Sequence, residues 1–240
     1  MTGVQTCALP IWIFVSQVPG SLAILPDYIV QAGHERGLGF QSGVRVVEAS
    51  ADEGADLLTK LGIAERQNHL NGAFAAHAVA HLLRRPLAEM WPLLEGFRGL
   101  PHRCERIGSV RNGPVFNDSK STNLESTLVA LSSMTKPVVL MMGGQGKGEP
   151  YAPLLAEKAK IAALVTFGAS GHEIAKAVGS QLPVQEFPTL AAALASIDGI
   201  LEKHPHGVLF SPGCASFDEF RNYEHRGEVF TQAMRSRLVP

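Results

Sequence analysis

Cysteine is scarce in this chain, and charge is sparse. Cys7, Cys104 and Cys214 lie far apart and form no Cys-x-x-Cys pair. That spacing argues against a disulfide framework and for reduced thiols in a cytoplasmic protein. Charged residues make up 18% of the chain, with a net charge of -1. No run of Lys or Arg stands out, so the electrostatic footprint of a nucleic-acid binder is missing. The apolar run Ala8–Val15 is interrupted by Pro10 and is too short to span a bilayer. No Lys or Arg precedes Arg36, so the positive leading region of a secretory signal is missing too. No internal repeat or low-complexity segment appears. What remains is a chain of 240 residues, 45% hydrophobic, long enough for one large or two ordinary domains with a sizeable core.

Several motifs are absent as well. Gly143-Gly-Gln-Gly-Lys-Gly148 is not a Walker A loop, because Met141 stands where a glycine is required and Gly148 follows Lys147 in place of Ser or Thr. It is not Gly-x-Gly-x-x-Gly either, which argues against a nicotinamide-dependent oxidoreductase. His77 and His81 have a spacing that can bind zinc. Ala78, however, stands where a zincin has Glu, and no third ligand is apparent, so no metal is expected.

What is present is a polar cluster, Pro114-Val-Phe-Asn-Asp-Ser-Lys-Ser-Thr-Asn123. It begins β-prone at Val115 and Phe116 and hands over at Leu124 to a helical pattern. Thr122 or Asn123 is the predicted N-cap. The cluster therefore sits where a strand ends and a helix begins, the edge at which open α/β sheets bind ligands. Two later stretches repeat the design. Pro137–Met142 reads as a buried strand ahead of the Gly143–Gly148 loop, and Gly207–Phe210 as a strand ahead of Ser211-Pro-Gly-Cys-Ala-Ser-Phe-Asp218. Three such loops in one domain predict convergence on one sheet edge.

From His102 onward strand and helix alternate. Strands are predicted at Cys104–Val110, Val115–Asn117, Val138–Met142, Ala163–Phe167 and Val208–Phe210. Helices are predicted at Leu124–Ser133, Tyr151–Lys160, His172–Val178, Leu190–His204 and Asp218–Arg235. Alternation with short loops implies a Rossmann-like α/β domain, a mostly parallel sheet flanked by helices. Before it, Val44–Val47 reads as a strand, Glu53–Leu61 as a helix stopped by Gly62, Asn68 to about Leu83 as a mostly buried helix, and Leu87–Phe97 as another helix. The break at Gly96–Pro101 places a domain boundary near Leu100. Asn68 fits an N-cap and a ligand contact equally well.

These residues resemble a known family. Gly99-Leu-Pro-His-Arg103, Asn117–Asn123, Gly143–Lys147 and Ser211–Asp218 occur in the order and at the spacing found in the UDP-N-acetylmuramoyl-L-alanine:D-glutamate ligases, Mur ligases of peptidoglycan synthesis. The match continues through Phe220-Arg-Asn-Tyr-Glu-His-Arg-Gly227 and spans about Gln67 to Phe230. The resemblance implies ATP-dependent joining of D-glutamate to UDP-N-acetylmuramoyl-L-alanine through an acyl phosphate, with Mg²⁺. It implies residues 12–99 as the C-terminal part of the central ATP-binding domain, a truncated α/β remnant, and residues 100–240 as the D-glutamate-binding domain. It also implies catalytic roles for Lys120 and Asp118. It assigns Thr122, Lys147, Ser216, Phe217 and Tyr223 to D-glutamate, and Asn71, Arg103 and Asp118 to the nucleotide. Gln67 stands where the family has His.

The family's phosphate loop and metal ligands match nothing in these residues. Residues 1–11 resemble a translated sequencing adapter, which implies a start inside a longer gene. The expectation is a monomeric C-terminal fragment, inactive alone, that takes small-molecule substrates and neither nucleic acid nor membrane. The rival from another class is a non-catalytic ligand-binding module, which would bind without turnover.

Overall fold

The computed structural model describes residues 18–35, 44–61, 66–97 and 99–239. The adapter-like segment 1–11, the apolar run 8–15 and the helix stop at Gly62 lie outside them. Two compact units divide between Arg98 and Gly99.

The first unit opens with β1 (Leu22–Pro26), α1 (Asp27–Glu35) and β2 (Arg45–Ala49). The two strands pair in parallel, Leu22 opposite Arg45 and Pro26 opposite Ala49. The sequence pattern anticipated β2 and missed β1, whose five residues carry no alternation. Then come α2 (Ala55–Lys60) and α3 (Arg66–Leu83). Leu70 and Ala73 of α3 bury against Ala49 and Ala51, with Ile24 and Trp91 alongside. Alanines at this contact let helix and strands approach closely. Val79, Leu82 and Leu83 stay exposed, so α3 is less buried than its composition suggests. The expected helix over Leu87–Phe97 is two short 3₁₀ turns, Leu87–Glu89 and Trp91–Leu94. Pro86 precedes the first turn and Pro92 lies within the second, and neither supplies a backbone donor.

The second unit is a six-stranded sheet. In chain order it contains β3 (Glu105–Val110), β4 (Gly113–Asn117), α4 (Leu124–Ser132), β5 (Val138–Gly143), a 3₁₀ stretch (Ala152–Lys160), β6 (Ile161–Phe167), α5 (Gly171–Val178), β7 (Val184–Glu186), α6 (Leu190–Ala195), α7 (Ile197–Lys203), β8 (Gly207–Gly213) and α8 (Tyr223–Met234). The strand order is β3-β4-β8-β5-β6-β7. Only the β3–β4 pair is antiparallel. The parallel strands β5, β6 and β8 are buried almost throughout, as strands covered on both faces must be. One cluster gathers Phe167, Phe210 and Phe230 with the helices α6 and α7, and the other gathers Leu131, Leu140, Leu154 and Ile174.

Four expectations need correction. Tyr151–Lys160 winds as 3₁₀ turns, with Pro153 in its first turn removing a donor. Leu190–His204 breaks at Ser196 into α6 and α7. β8 runs three residues past Phe210, because Gly143 and Gly213 still pair across β5 and β8. The last helix starts at Tyr223 rather than Asp218. Asp218 and Glu219 instead spend their carboxylates on the backbone amides of Ala169 and Leu190, and the Asn222 side chain caps α8 through the His225 amide.

Candidate functional site at the strand edge

The cluster after β4 is held by its own side chains. Asn117 is fully buried. Its side-chain nitrogen donates to the Gly227 carbonyl at 3.0 Å and to the Thr231 hydroxyl at 2.9 Å, and its oxygen accepts the Ser119 amide. Asp118 is also buried. One carboxylate oxygen accepts the Cys104 amide at 3.0 Å. The other accepts the hydroxyls of Ser121 at 2.5 Å and Ser211 at 2.7 Å. The Asp118 amide donates to the Phe210 carbonyl. Asp118 thus joins the ends of β4 and β8 and the segment ahead of β3.

That segment is conformationally expensive. His102 and Cys104 have positive φ, 62° and 48°, a region that side chains other than glycine enter rarely. The Cys104 amide is held by Asp118, the His102 carbonyl accepts the Lys120 amide, and the His102 amide is held by Glu105. Between the two strained residues Arg103 stands exposed.

The glycine-rich loop after β5 has to be glycine. A Cβ on Gly143 would lie 2.0 Å from the Phe167 carbonyl oxygen, and one on Gly144 would lie 2.3 Å from that of Ala215. The closeness lets two loops pair: Gln145 and Ala215 exchange hydrogen bonds of 2.8 and 2.9 Å. Gly213 in turn donates to the Ser121 carbonyl. The loops after β4, β5 and β8 are therefore fastened to one another at one edge of the sheet. Lys147 follows Gln145 by two residues and is exposed. Ser216 follows Ala215 and is buried, and Thr122 follows Ser121 and is half-buried. Phe217 is 70% exposed, so nothing packs it as a wall. Its neighbour Phe220 packs against the core.

Tyr223 opens α8. The Lys120 ammonium lies 4.2 Å from its ring centroid, and the His102 ring meets it edge-on at 6.4 Å. A hydrogen bond from its hydroxyl to Glu224 pushes the phenol pKa up. The N-terminus of α4 is already served: Asn123, not Thr122, caps the Ser126 amide, and Glu149 takes the Leu124 amide at 3.0 Å. Lys147 and Arg103 are exposed, Lys120 and Thr122 are half-buried, and Ser216 is buried.

Sequence reasoning passed over Arg226 and Glu149. Both lie inside or beside matched motifs, and only their partners in space give them meaning. In the first unit, Asn71 is exposed and its side chain reaches Asn68 at 3.5 Å. Asn68 sits inside α3 and so is not its cap. His77 pairs with Glu53 at 2.8 Å. Among the described residues no cluster of His, Cys, Asp or Glu could hold a metal ion, and no helix is long and apolar enough to cross a membrane.

The fold, a mostly parallel sheet wound with helices, is similar to that of two solved proteins. MurF from Acinetobacter baumannii aligns over 95% of this chain and 55% of its own, with a TM-score of 0.57 at 17% identity. The bifunctional folylpolyglutamate synthase/dihydrofolate synthase from Yersinia pestis, solved with AMPPNP and a Mn ion, aligns over 97% of this chain and 58% of its own, with a TM-score of 0.57 at 14% identity. At such identities the likeness speaks to the fold. No family model matches the chain.

Curated relatives narrow the class. The UDP-N-acetylmuramoylalanine--D-glutamate ligase of Nitrosomonas europaea is 37% identical over 179 residues, 74% of this chain and 38% of that protein. The enzyme of the same name from Ralstonia nicotianae is 39% identical over 182 residues, 75% of this chain and 36% of that protein. The chain is a homologue of the UDP-N-acetylmuramoylalanine--D-glutamate ligases across about three quarters of its length, and it spans little more than a third of theirs.

Proposed function

We propose that this chain serves an ATP-dependent ligase that joins D-glutamate to UDP-N-acetylmuramoyl-L-alanine, and that its second unit receives the D-glutamate. The observation that carries this reading is the mutual fastening of three strand-end loops. They bring two lysines and two hydroxyls to one edge in a homologue of the D-glutamate-adding enzymes, and the segment ahead of β3 that carries Arg103 joins them through the bond from the Lys120 amide to the His102 carbonyl. A dicarboxylate amino acid needs a cation and hydroxyl donors for its carboxylate oxygens. Lys147, Thr122, Ser216 and the Tyr223 ring are the groups proposed to bind it, with Phe217 closing over the site once ligand is present.

The chemistry of the reading is amide formation. ATP converts the carboxylate of the acceptor to an acyl phosphate, and the amine of D-glutamate displaces phosphate. Lys120 and Arg103 are the cations proposed to face the phosphate oxygens; Asn71, in the first unit, is by itself proposed as a nucleotide contact. Asp118 acts through Lys120 and Arg103 by holding both of their loops. The described residues do not fit a magnesium site, since no acidic cluster is present among them, and no Gly-x-x-x-x-Gly-Lys loop occurs in the 240 residues. The reading places the protein in the cytoplasm as a monomer acting on small molecules.

Calorimetric titration of the purified chain with D-glutamate tests this, with L-glutamate as control. Saturable binding of the D-isomer that Lys147→Ala weakens roughly 30-fold or more is expected, since losing one partner of a desolvated charge pair costs about 2–5 kcal/mol. Equal affinity for both isomers, or binding indifferent to Lys147, would contradict the assignment.

A further inference from the structure

Arg226 has no part in the roles above, yet it heads the large side chains that are fully buried among the described residues. Burying a guanidinium is costly unless its donors are all met. Its described hydrogen bonds go to no carboxylate. Nε donates to the Ser119 hydroxyl at 3.1 Å, Nη2 to the Ser119 carbonyl at 2.8 Å, and Nη1 to the Cys214 carbonyl at 3.0 Å. Burial brings its pKa down to about 10, which leaves it charged at neutral pH.

The partners define its place. Ser119 precedes Lys120. Cys214 lies two residues before Ser216. A Cβ on Gly144 would come within 3.1 Å of Nη1, so the loop that carries Lys147 lies against the same guanidinium. Ser119 also donates its hydroxyl to the Tyr223 carbonyl at 2.8 Å, and Tyr223 and Arg226 share the first turn of α8. One planar fork therefore touches the frame of every proposed D-glutamate contact.

We propose that Arg226 is a positioning residue, which sets the separation of Lys120, Ser216 and Tyr223 by clamping the Ser119 and Cys214 loops to one rigid group. The proposal deepens the functional reading and rests on it for its ligand. Loops ordered in advance spare the ligand the entropy of ordering them. Lysine cannot replace arginine here, because an ammonium lacks the planar fork that spans three acceptors.

Hydrogen exchange followed by mass spectrometry, on the 240-residue chain and on Arg226→Lys, tests the clamp. Exchange in peptides covering 118–123 and 213–217 should rise together by about tenfold or more, with that in Val138–Met142 and Ile161–Phe167 unchanged, because local opening is independent of the core. Uniform acceleration across the sheet, or no change in either loop, would overturn the proposal. Should Arg226→Lys fail to fold, Ser119→Ala is measured in the same way. It removes the Nε acceptor and the Tyr223 link while leaving the Cys214 bond, and unchanged exchange at 118–123 would be equally fatal. D-glutamate titration of the same proteins separates the two ideas. A wild-type chain that ignores D-glutamate sinks the functional reading and leaves the exchange result to decide the clamp. Where the wild type binds, Arg226→Lys should lose about tenfold in affinity, the scale expected when a binding site must be ordered first.

Discussion

Lys120 holds its ammonium over the ring of Tyr223, 4.2 Å from the centroid. The two residues are far apart in sequence, and the contact closes because Ser119 donates to the Tyr223 carbonyl. A half-exposed cation–π pair is worth about 0.5–1 kcal/mol. Such a pair holds the amine in place without binding it so tightly that an anion could not recruit it.

Tyr223→Phe should therefore leave stability and ligand affinity within about twofold, since the ring carries the contact. Tyr223→Leu should free the lysine and lower D-glutamate affinity more than it lowers stability. Thermal unfolding and calorimetry, run on both variants, check the split. A Phe variant as impaired as the Leu variant would shift the role to the hydroxyl.

Asp118→Ala is expected to destabilise the second unit by about 2–4 kcal/mol, because three donors would lose a buried acceptor. The strained backbone at His102 and Cys104 would lose its anchor as well. Urea unfolding gives the number, and a loss below about 1 kcal/mol, the scale of one ordinary hydrogen bond, would show that other contacts hold the β3 entry.

Much of this was legible in the sequence, and the reasons differ by element. The buried strands β5, β6 and β8 announce themselves as short apolar runs ended by glycine or serine. The Asn117–Asn123 cluster marks a strand end because its capping residues sit ahead of an apolar helix. β7 was invisible, since three residues with polar Gln185 at their centre carry no period. The start of α8 was misplaced because Asp218 and Glu219 look like helix starters while their carboxylates serve distant amides. Arg226 reads as an ordinary polar helix residue. Its burial follows from Ser119 and Cys214, 107 and 12 residues away, and no local pattern encodes that.

Gly144→Ala should be severely destabilising, by about 3 kcal/mol or more, as expected where a Cβ meets rigid backbone at positive φ. Its Cβ would sit 2.3 Å from the Ala215 oxygen. Gly199→Ala is the internal control. Gly199 lies within α7 with nothing within 4 Å of its Cβ, so alanine should stabilise by about 0.5–1 kcal/mol through helix propensity. Parallel melts of the two variants decide the matter, and a tolerated Gly144→Ala would mean that the paired loops are looser than drawn.

Cys214 supplies the pH test. It is a free thiol, buried, and within 3.3 Å of the Tyr151 hydroxyl. Burial raises the thiol pKa above its ordinary 9.0, and burial followed by the bond to Cys214 raises that of Tyr151. Both groups stay neutral in the folded chain at pH values where the unfolded chain has begun to ionise. The unfolded state then binds fewer protons than the native state, so stability must fall as pH rises. The loss should begin near pH 9, where an unfolded thiol ionises, and continue upward through the range where Tyr does. Below pH 8 neither group should contribute a slope. Denaturation midpoints from pH 7 to 11 for the wild type, Cys214→Ala and Tyr151→Phe check this, with the variants expected to flatten the alkaline limb. The same burial should keep iodoacetamide away from Cys214 in the native chain at pH 8 and admit it only on unfolding. Rapid native-state alkylation at Cys214, read by peptide mass, would show instead that the loop pairing Gln145 with Ala215 opens readily.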